Sequence, residues 1–390
     1  MALDRPASPA HYAAAQLLTV GFYDTTLNST LKELLDRGVG GVVLFARNIS
    51  SPEQVGKLIH DIKAYAGRPL FVGLDQEGGL VQRLKDGFTR IPPMRAIGAL
   101  ADVELAEQLG RFIGTELRAV GVDVNFAPIL DVDTNPLNPI IGNRSFSRDP
   151  ELVGRLGVAL GRGLEAAGVA SCGKHFPGHG DTAQDSHQEL PSLPHSLERL
   201  EAVELVPFRA WTAANLASIM TAHVIFEPLD PDYPATMSRR VLHGILRERL
   251  GYQGLIITDD IEMKAIADHY GYEEAAIRGV NAGVDNFLCC HTADVAHRII
   301  DTLVEAVTVG RIGQARIDDA GARVRAFAER WARPAEEPQL DRLQSPEFGA
   351  LIERVLSSVD PAQAHVGEDP TEIMEQIRVE RAQRELAAQG

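Results

Sequence analysis

Eight short runs of apolar, largely β-branched residues recur along the chain, most of them followed by a segment patterned as a helix. They are LLTVGF (17–22), VGGVVLF (39–45), PLFVGLD (69–75), VDVNFAP (122–128), VASCGKH (169–175), ASIMTAH (217–223), GLIITDD (254–260) and VDNFLCC (284–290). Runs this short and this uniformly apolar suit strands buried on both faces, which is the condition of a parallel sheet. Between them lie amphipathic stretches such as SPEQVGKLIHDIKAYAG, SRRVLHGILRERLG and DVAHRIIDTLVEAV, with a shorter TLKELLDRG in the first gap. Ser51–Pro52 and Ser238 are residues that start helices. Strand–helix alternation over roughly 330 residues predicts an α/β fold closed into a (β/α)8 TIM barrel. A doubly wound open sheet is the alternative, and eight parallel strands make it the weaker one.

The barrel is expected over residues 1–335, with a C-terminal helical tail over 336–390. PAEEPQL reads as a linker, SPEFGALIERVLSSV as a capped helix, and DPTEIMEQIRVERAQRELAAQ as a charged helix with only Ile373, Met374 and Ile377 as its apolar stripe. Such a tail is too thin to own a core. Its helices are expected on the barrel, on a second copy of the chain, or partly on nothing, so self-association through them is one expectation about partners.

A formal net charge of −16 argues against nucleic acid as a ligand, because phosphate binding needs a basic surface. No stretch approaches the roughly 18 apolar residues of a membrane span. The N-terminus has no basic region leading into an uninterrupted apolar core, so it makes a poor signal peptide. Cys172, Cys289 and Cys290 read as buried free thiols. These features together predict a cytoplasmic protein with no membrane partner.

In a barrel of this kind chemistry gathers where strands end and the following loops begin. Strand three ends at Asp75, strand four leads through Asn125 to Asp131, and strand five ends at Lys174–His175. Strand six ends at His223, strand seven at Asp259–Asp260, and strand eight at Cys290–His291. Side chains alternate along a strand, so Asp259 and Asp260 should not share a face. Asp259 is the candidate for the site, and Asp260 for a local structural role. After strand five the chain reads KHFPGHGDTAQDSH (174–187). Pro177, Gly178 and Gly180 make a turn whose backbone can approach a ligand closely. Beyond them Asp185 and His187 stand two apart, where a carboxylate can orient an imidazole and raise its basicity. His179, between the glycines, reads as a residue that organises the loop. A metal site built on His175, His179, His187 and the aspartates is the competing reading. It is weak, because strand one has no histidine and no cysteines accompany the loop.

With these segments in view, the chain resembles glycoside hydrolase family 3, and within it the bacterial single-domain β-N-acetylglucosaminidases. KHFPGHGDTAQDSHQELP is similar to that subgroup's signature. VGLDQEGGLVQRL and GNRSFSRDP resemble its substrate-binding segments, and ITDDIEMKAI its nucleophile segment. The likeness runs over about residues 12–335 and implies a barrel catalytic domain with no cofactor and no metal. It also implies a small carbohydrate substrate, either a GlcNAc-containing muropeptide or a chito-oligosaccharide. On this likeness Asp259 is the nucleophile of a retaining reaction, and His187 the acid/base tuned by Asp185. Asp75, Arg83, Arg144, Lys174 and His175 hold the terminal N-acetylglucosamine, released in peptidoglycan recycling. The two-domain β-glucosidases of the same family carry a further domain for which the tail is too short. Leu80 and Glu262 depart from the family pattern, at positions often held by arginine and by a small or amide residue. The alternatives are an N-acetylglucosaminide phosphorylase or β-glucosidase of the same family, a metal-dependent barrel hydrolase, and a sugar-binding barrel without activity.

Overall fold

The computed structural model describes residues 8–183 and 189–364. All eight apolar runs form parallel strands, and the sheet closes. We label them β1 (Leu18–Val20), β2 (Gly41–Val43), β3 (Phe71–Leu74), β4 (Val124–Asn125), β5 (Ala170–Phe176), β6 (Ser218–Thr221), β7 (Leu255–Asp260) and β8 (Asn286–Cys289). Neighbours around the barrel follow chain order, and β8 pairs with β1 through Leu18 opposite Phe287. The open-sheet alternative is therefore excluded.

Each strand is followed by a helix that covers it. These are α1 (Ser29–Arg37), α2 (Pro52–Ala66), α3 (Val103–Ala119), α4 (Pro150–Ala166), α5 (Leu205–Ala213), α6 (Arg240–Arg249), α7 (Tyr272–Ala282) and α8 (Ala293–Thr308). The starts of four of them are chemically explicit. The side chains of Asn28, Ser51, Asp102 and Asp149 accept hydrogen bonds from first-turn amides that no helical carbonyl can reach. Helix α6 is wound as a π-helix. The long connection after β3 carries a hairpin, Gln76–Gly78 against Val81–Gln82, and a helix, Met94–Leu100. The connection after β4 carries a single turn, Gly142–Arg144. No described helix is long and apolar enough to cross a membrane.

The inside of the barrel is filled by Phe71, Val124, Phe126, Cys172, Met220, Leu255 and Ile257, among others. The same cluster takes in Val324, Phe327, Ala328 and Trp331 of the next helix, α9 (Gln314–Trp331). Phe327 meets Phe71, the first residue of β3, edge to face at 5.3 Å. Helix α9 thus closes the end of the barrel where the strands begin. What remains open is the opposite end, where they finish.

Beyond α9, helix α10 (Pro346–Ser358) is capped by the Ser345 hydroxyl and buries Phe348, Leu351, Ile352 and Val355. Phe348 stacks on Phe112 of α3 at 5.0 Å between ring centroids. The first part of the tail therefore packs on the barrel's outer helices; the second expected helix falls in 365–390, outside the described residues. Because Phe348 is held in this contact, Phe348→Ala should destabilise the folded chain by roughly 3–5 kcal/mol. A urea titration reads this as a lower midpoint of the main unfolding transition; an unmoved midpoint would mean that α10 contributes nothing to the barrel.

Candidate active site

The open mouth is built first by the hairpin after β3. Its amide side chains act as internal pins: Gln76 receives the Leu84 amide and Gln82 the Ile91 amide, and both donate to the Leu84 carbonyl. Asn125, at the end of β4, grips the Gln76 backbone from the other side, accepting from its N–H and donating to its carbonyl. Asp75, Glu77 and Arg83 are held in place by this frame. Lys174 reaches them from the end of β5, with Nζ 2.7 Å from Asp75 Oδ1 and 2.6 Å from Glu77 Oε1. Arg144 adds a two-pronged contact, its Nε and Nη2 each 2.9 Å from a Glu77 oxygen. Arg83 lies 3.7 Å from Asp75. Burial alone would raise the pKa of Glu77. The charge of Arg144 and then that of Lys174 override it, so this carboxyl is held far below the usual carboxylate range. The same pairing, to Asp75 and Glu77, overcomes burial at Lys174 and raises its pKa.

A second group centres on Asp131, fully buried beyond the end of β4. Its Oδ2 lies 2.7 Å from His175 Nδ1, and its Oδ1 accepts the His179 amide at 2.7 Å. Lys174 and His175 are joined by a cis peptide bond, and the His175 Nε2 is 3.9 Å from Asp259 Oδ2. Desolvation works against the charge on Asp131, but His175 outweighs it, and the carboxyl stays ionised with a lowered pKa. Asp131 thereby fixes the His175 tautomer, leaving Nε2 toward the end of β7. His179 is buried against Thr182, 2.9 Å from its hydroxyl, and burial, reinforced by His175, pushes its pKa down to about 4. It organises the turn as a neutral ring. Gly180 lies so close to Val132 that a Cβ would stand 1.8 Å from its carbonyl oxygen. Asp181 receives the Thr134 hydroxyl and sits 2.8 Å from His195. Asp185 and His187, the expected acid/base pair, fall in 184–188, outside the described residues.

At the end of β7 the two adjacent aspartates separate as alternation requires. Asp259 Oδ1 accepts the Asp260 amide, and its carboxylate is 21% exposed at the mouth. Asp260 turns the other way and takes the Glu262 and Cys290 amides, with Oδ2 3.2 Å from His291 Nε2. Glu262 accepts the His291 and Thr292 amides at the start of α8. Burial, then Asp260, raises its pKa. His223, at the end of β6, lies between the Thr236 hydroxyl and the Asp260 carbonyl.

Asp75, Arg83, Arg144, Lys174, His175 and Asp259 are thus gathered at one mouth. Glu77 and Asp131, to which the sequence reading assigned no role, are the carboxylates that organise them. Glu77 had one available signal, its place in the same DQEGG segment as Asp75; Asp131 had only its position beyond a strand. Among the described residues, no group of three or more His, Cys, Asp or Glu side chains is arranged to hold a metal ion.

Two outcomes follow from the buried charges. Glu77→Gln leaves Lys174 and Arg144 without their shared countercharge and should cost roughly 3–5 kcal/mol, measured by urea denaturation. His179 binds fewer protons in the fold than the unfolded chain's histidine, whose pKa is about 6.5. Its stabilising contribution is therefore present above about pH 6.5 and lost as pH falls toward 4. His179→Asn should flatten that part of the dependence of melting temperature on pH.

Comparison with known proteins places this geometry. The pattern of the glycosyl hydrolase family 3 N terminal domain matches residues 12–327. A β-hexosaminidase of Thiobacillus denitrificans is 43% identical over 278 residues, covering 70% of this chain and 77% of that protein. Among solved structures, a family 3 β-N-acetylglucosaminidase from Paenibacillus sp. str. FPU-7 superposes with a TM-score of 0.85 at 41% identity, over 90% of this chain and 68% of that one. NagZ from Neisseria gonorrhoeae in complex with N-trifluoroacetyl-D-glucosamine superposes with a TM-score of 0.73 at 35% identity, over 87% and 97%. NagZ has also been solved in complex with zinc ion. A family pattern spanning most of the chain and a barrel shared at this identity lead to one conclusion: the chain belongs to glycosyl hydrolase family 3.

Proposed function

We propose that this protein is an exo-acting, retaining β-N-acetylglucosaminidase that releases terminal N-acetylglucosamine from β-linked muropeptides in peptidoglycan recycling in the cytoplasm. The observation that carries the reading is the placing of the Asp259 carboxylate beside His175 and in one mouth with the Asp75–Lys174 pair. A partly exposed nucleophile then faces fixed hydrogen-bonding groups suited to a sugar. The relatives named β-hexosaminidase and β-N-acetylglucosaminidase support the substrate class.

In this reading the terminal sugar's hydroxyls and acetamide are held by Asp75, Arg83, Arg144, Lys174 and His175. Asp259 attacks the anomeric carbon as the glycosidic oxygen leaves, forming a covalent glycosyl-enzyme. His187, oriented by Asp185, gives the leaving oxygen its proton and then takes one from the incoming water, which displaces Asp259 with net retention. An imidazole has an unperturbed pKa of about 6.5, so it can serve both half-reactions near neutrality. His175, locked by Asp131, steadies the nucleophile without itself transferring the proton.

The test is turnover of an aryl β-N-acetylglucosaminide and of chitobiose by wild type, Asp259→Ala and His187→Ala, with and without phosphate and a chelator. Asp259→Ala should lose more than about 10⁴-fold in kcat on both. His187→Ala should lose about 10²–10⁴-fold on chitobiose and less on the aryl substrate, whose leaving group needs little protonation. Near-normal rates in Asp259→Ala would refute the nucleophile assignment, and a preference for the aryl β-glucoside would refute the substrate. Loss of activity with chelator would favour the metal-dependent reading.

A further inference from the structure

The side chains assigned above stand on one part of the rim, on β3, on β5, on β7 and on the loop after β4. The rest of it, running through β8, β1 and β2, has a different chemistry. Tyr23 follows β1, Phe45 and Arg47 follow β2, and His291 follows β8. The Arg47 guanidinium lies 4.3 Å from the Tyr23 ring centroid and 4.4 Å from that of Phe45. Two of its nitrogens are directed at backbone, Nε donating to the Phe22 carbonyl and Nη2 to that of Cys290, while Nη1 lies 3.3 Å from His291 Nδ1. Arg47 is therefore a tie joining three loops, and it holds the rings still. The His291 ring is 5.7 Å from Phe45 and 6.5 Å from Tyr23.

Both ends of this aromatic arc join the site. His291 touches Asp260, the residue after the proposed nucleophile. At the other end the Arg83 guanidinium, 3.7 Å from Asp75, lies 5.7 Å from the Phe45 ring. Glu262 braces the His291 end by binding its amide and that of Thr292. Of the Tyr23 and Phe45 rings, Tyr23, at 43%, is substantially exposed, and Phe45 is at 9%.

We infer that this arc is the subsite for the leaving sugar, a pyranose ring that lays its C–H face on Tyr23 with Phe45 and His291 behind. The inference rests on the β-N-acetylglucosaminidase reading. The assignment of halves follows from polar matching. A terminal sugar placed against the rings would leave its hydroxyls and acetamide without partners, whereas the Asp75–Lys174–Arg144 cluster supplies them. A departing sugar needs the opposite: contact enough to orient it, without the charged hydrogen bonds that would hold it after cleavage. Ring faces on a fixed support meet that need.

The experiment compares two donors, chitobiose and N-acetyl-β-glucosaminyl fluoride, which differ in whether a sugar leaves. Tyr23→Ala should lower the ratio of kcat/KM for chitobiose to that for the fluoride by about three- to tenfold, the range expected for loss of one ring-face contact. Tyr23→Phe, which keeps the ring, should restore the ratio. Equal losses on both donors, or an unchanged ratio in Tyr23→Ala with wild type active on both, would overturn the subsite alone. A wild type inactive on both donors would overturn the activity reading and the subsite with it.

Discussion

The carboxylate of Glu77, shut away from water between Lys174 and Arg144, is the contact on which the rest of the mouth depends. Three buried charges are costly to desolvate singly, and each is tolerated only because the others are present. Arg144 comes from the loop after β4, Lys174 from β5 and Glu77 from the hairpin after β3, so one electrostatic knot sets the relative position of three consecutive strand ends. Lys174 is then left with Asp75 as its second partner, and Asp75 is the member of the group that keeps some exposure to solvent. The Asp75 carboxylate at the mouth is therefore fixed in position from behind.

A similar division of labour holds across the mouth. Asp131 is wholly buried and spends its oxygens on His175 and His179, which turns His175 toward Asp259 without giving the ring freedom to rotate. Asp260 anchors the β7 end to β8, and Asp259 is left facing the mouth beside His175. In each case a buried acid spends its oxygens on structure while a neighbouring, partly exposed acid is left at the mouth. Glu262 extends the pattern by holding the start of α8, a task for which a carboxylate accepting two backbone amides is well suited.

What could be read from the chain and what could not divide along the same physical line. The eight strands were legible because a strand buried on both faces must be apolar along its length, and that signal is local. The split between Asp259 and Asp260 was legible because alternation is a property of the strand alone. The roles of Glu77 and Asp131 were not, since each is defined by partners on other strands: Glu77 is 97 residues from Lys174 by number, and its acid character by itself distinguishes it from no other surface glutamate. The closing of the barrel floor by α9 escaped notice for a related reason. Val324, Phe327 and Trp331 make an apolar stripe like that of any outer helix, and only the packing of Phe327 on Phe71 reveals where it goes. Arg47 likewise reads as an ordinary surface cation until the rings on either side of it are placed.

The pairing of charges at the mouth has a consequence for how molecules arrive there. Lys174, Arg83 and Arg144 stand among Asp75, Glu77 and Asp259, three charges of each sign. Within this acidic chain, of formal net charge −16, these six described charges at the entrance thus cancel. An uncharged sugar gains no electrostatic steering from it, so its rate of encounter should hardly respond to ionic strength. A substrate bearing carboxylates would instead feel the surrounding negative field from a distance and arrive faster as added salt shortens the Debye length.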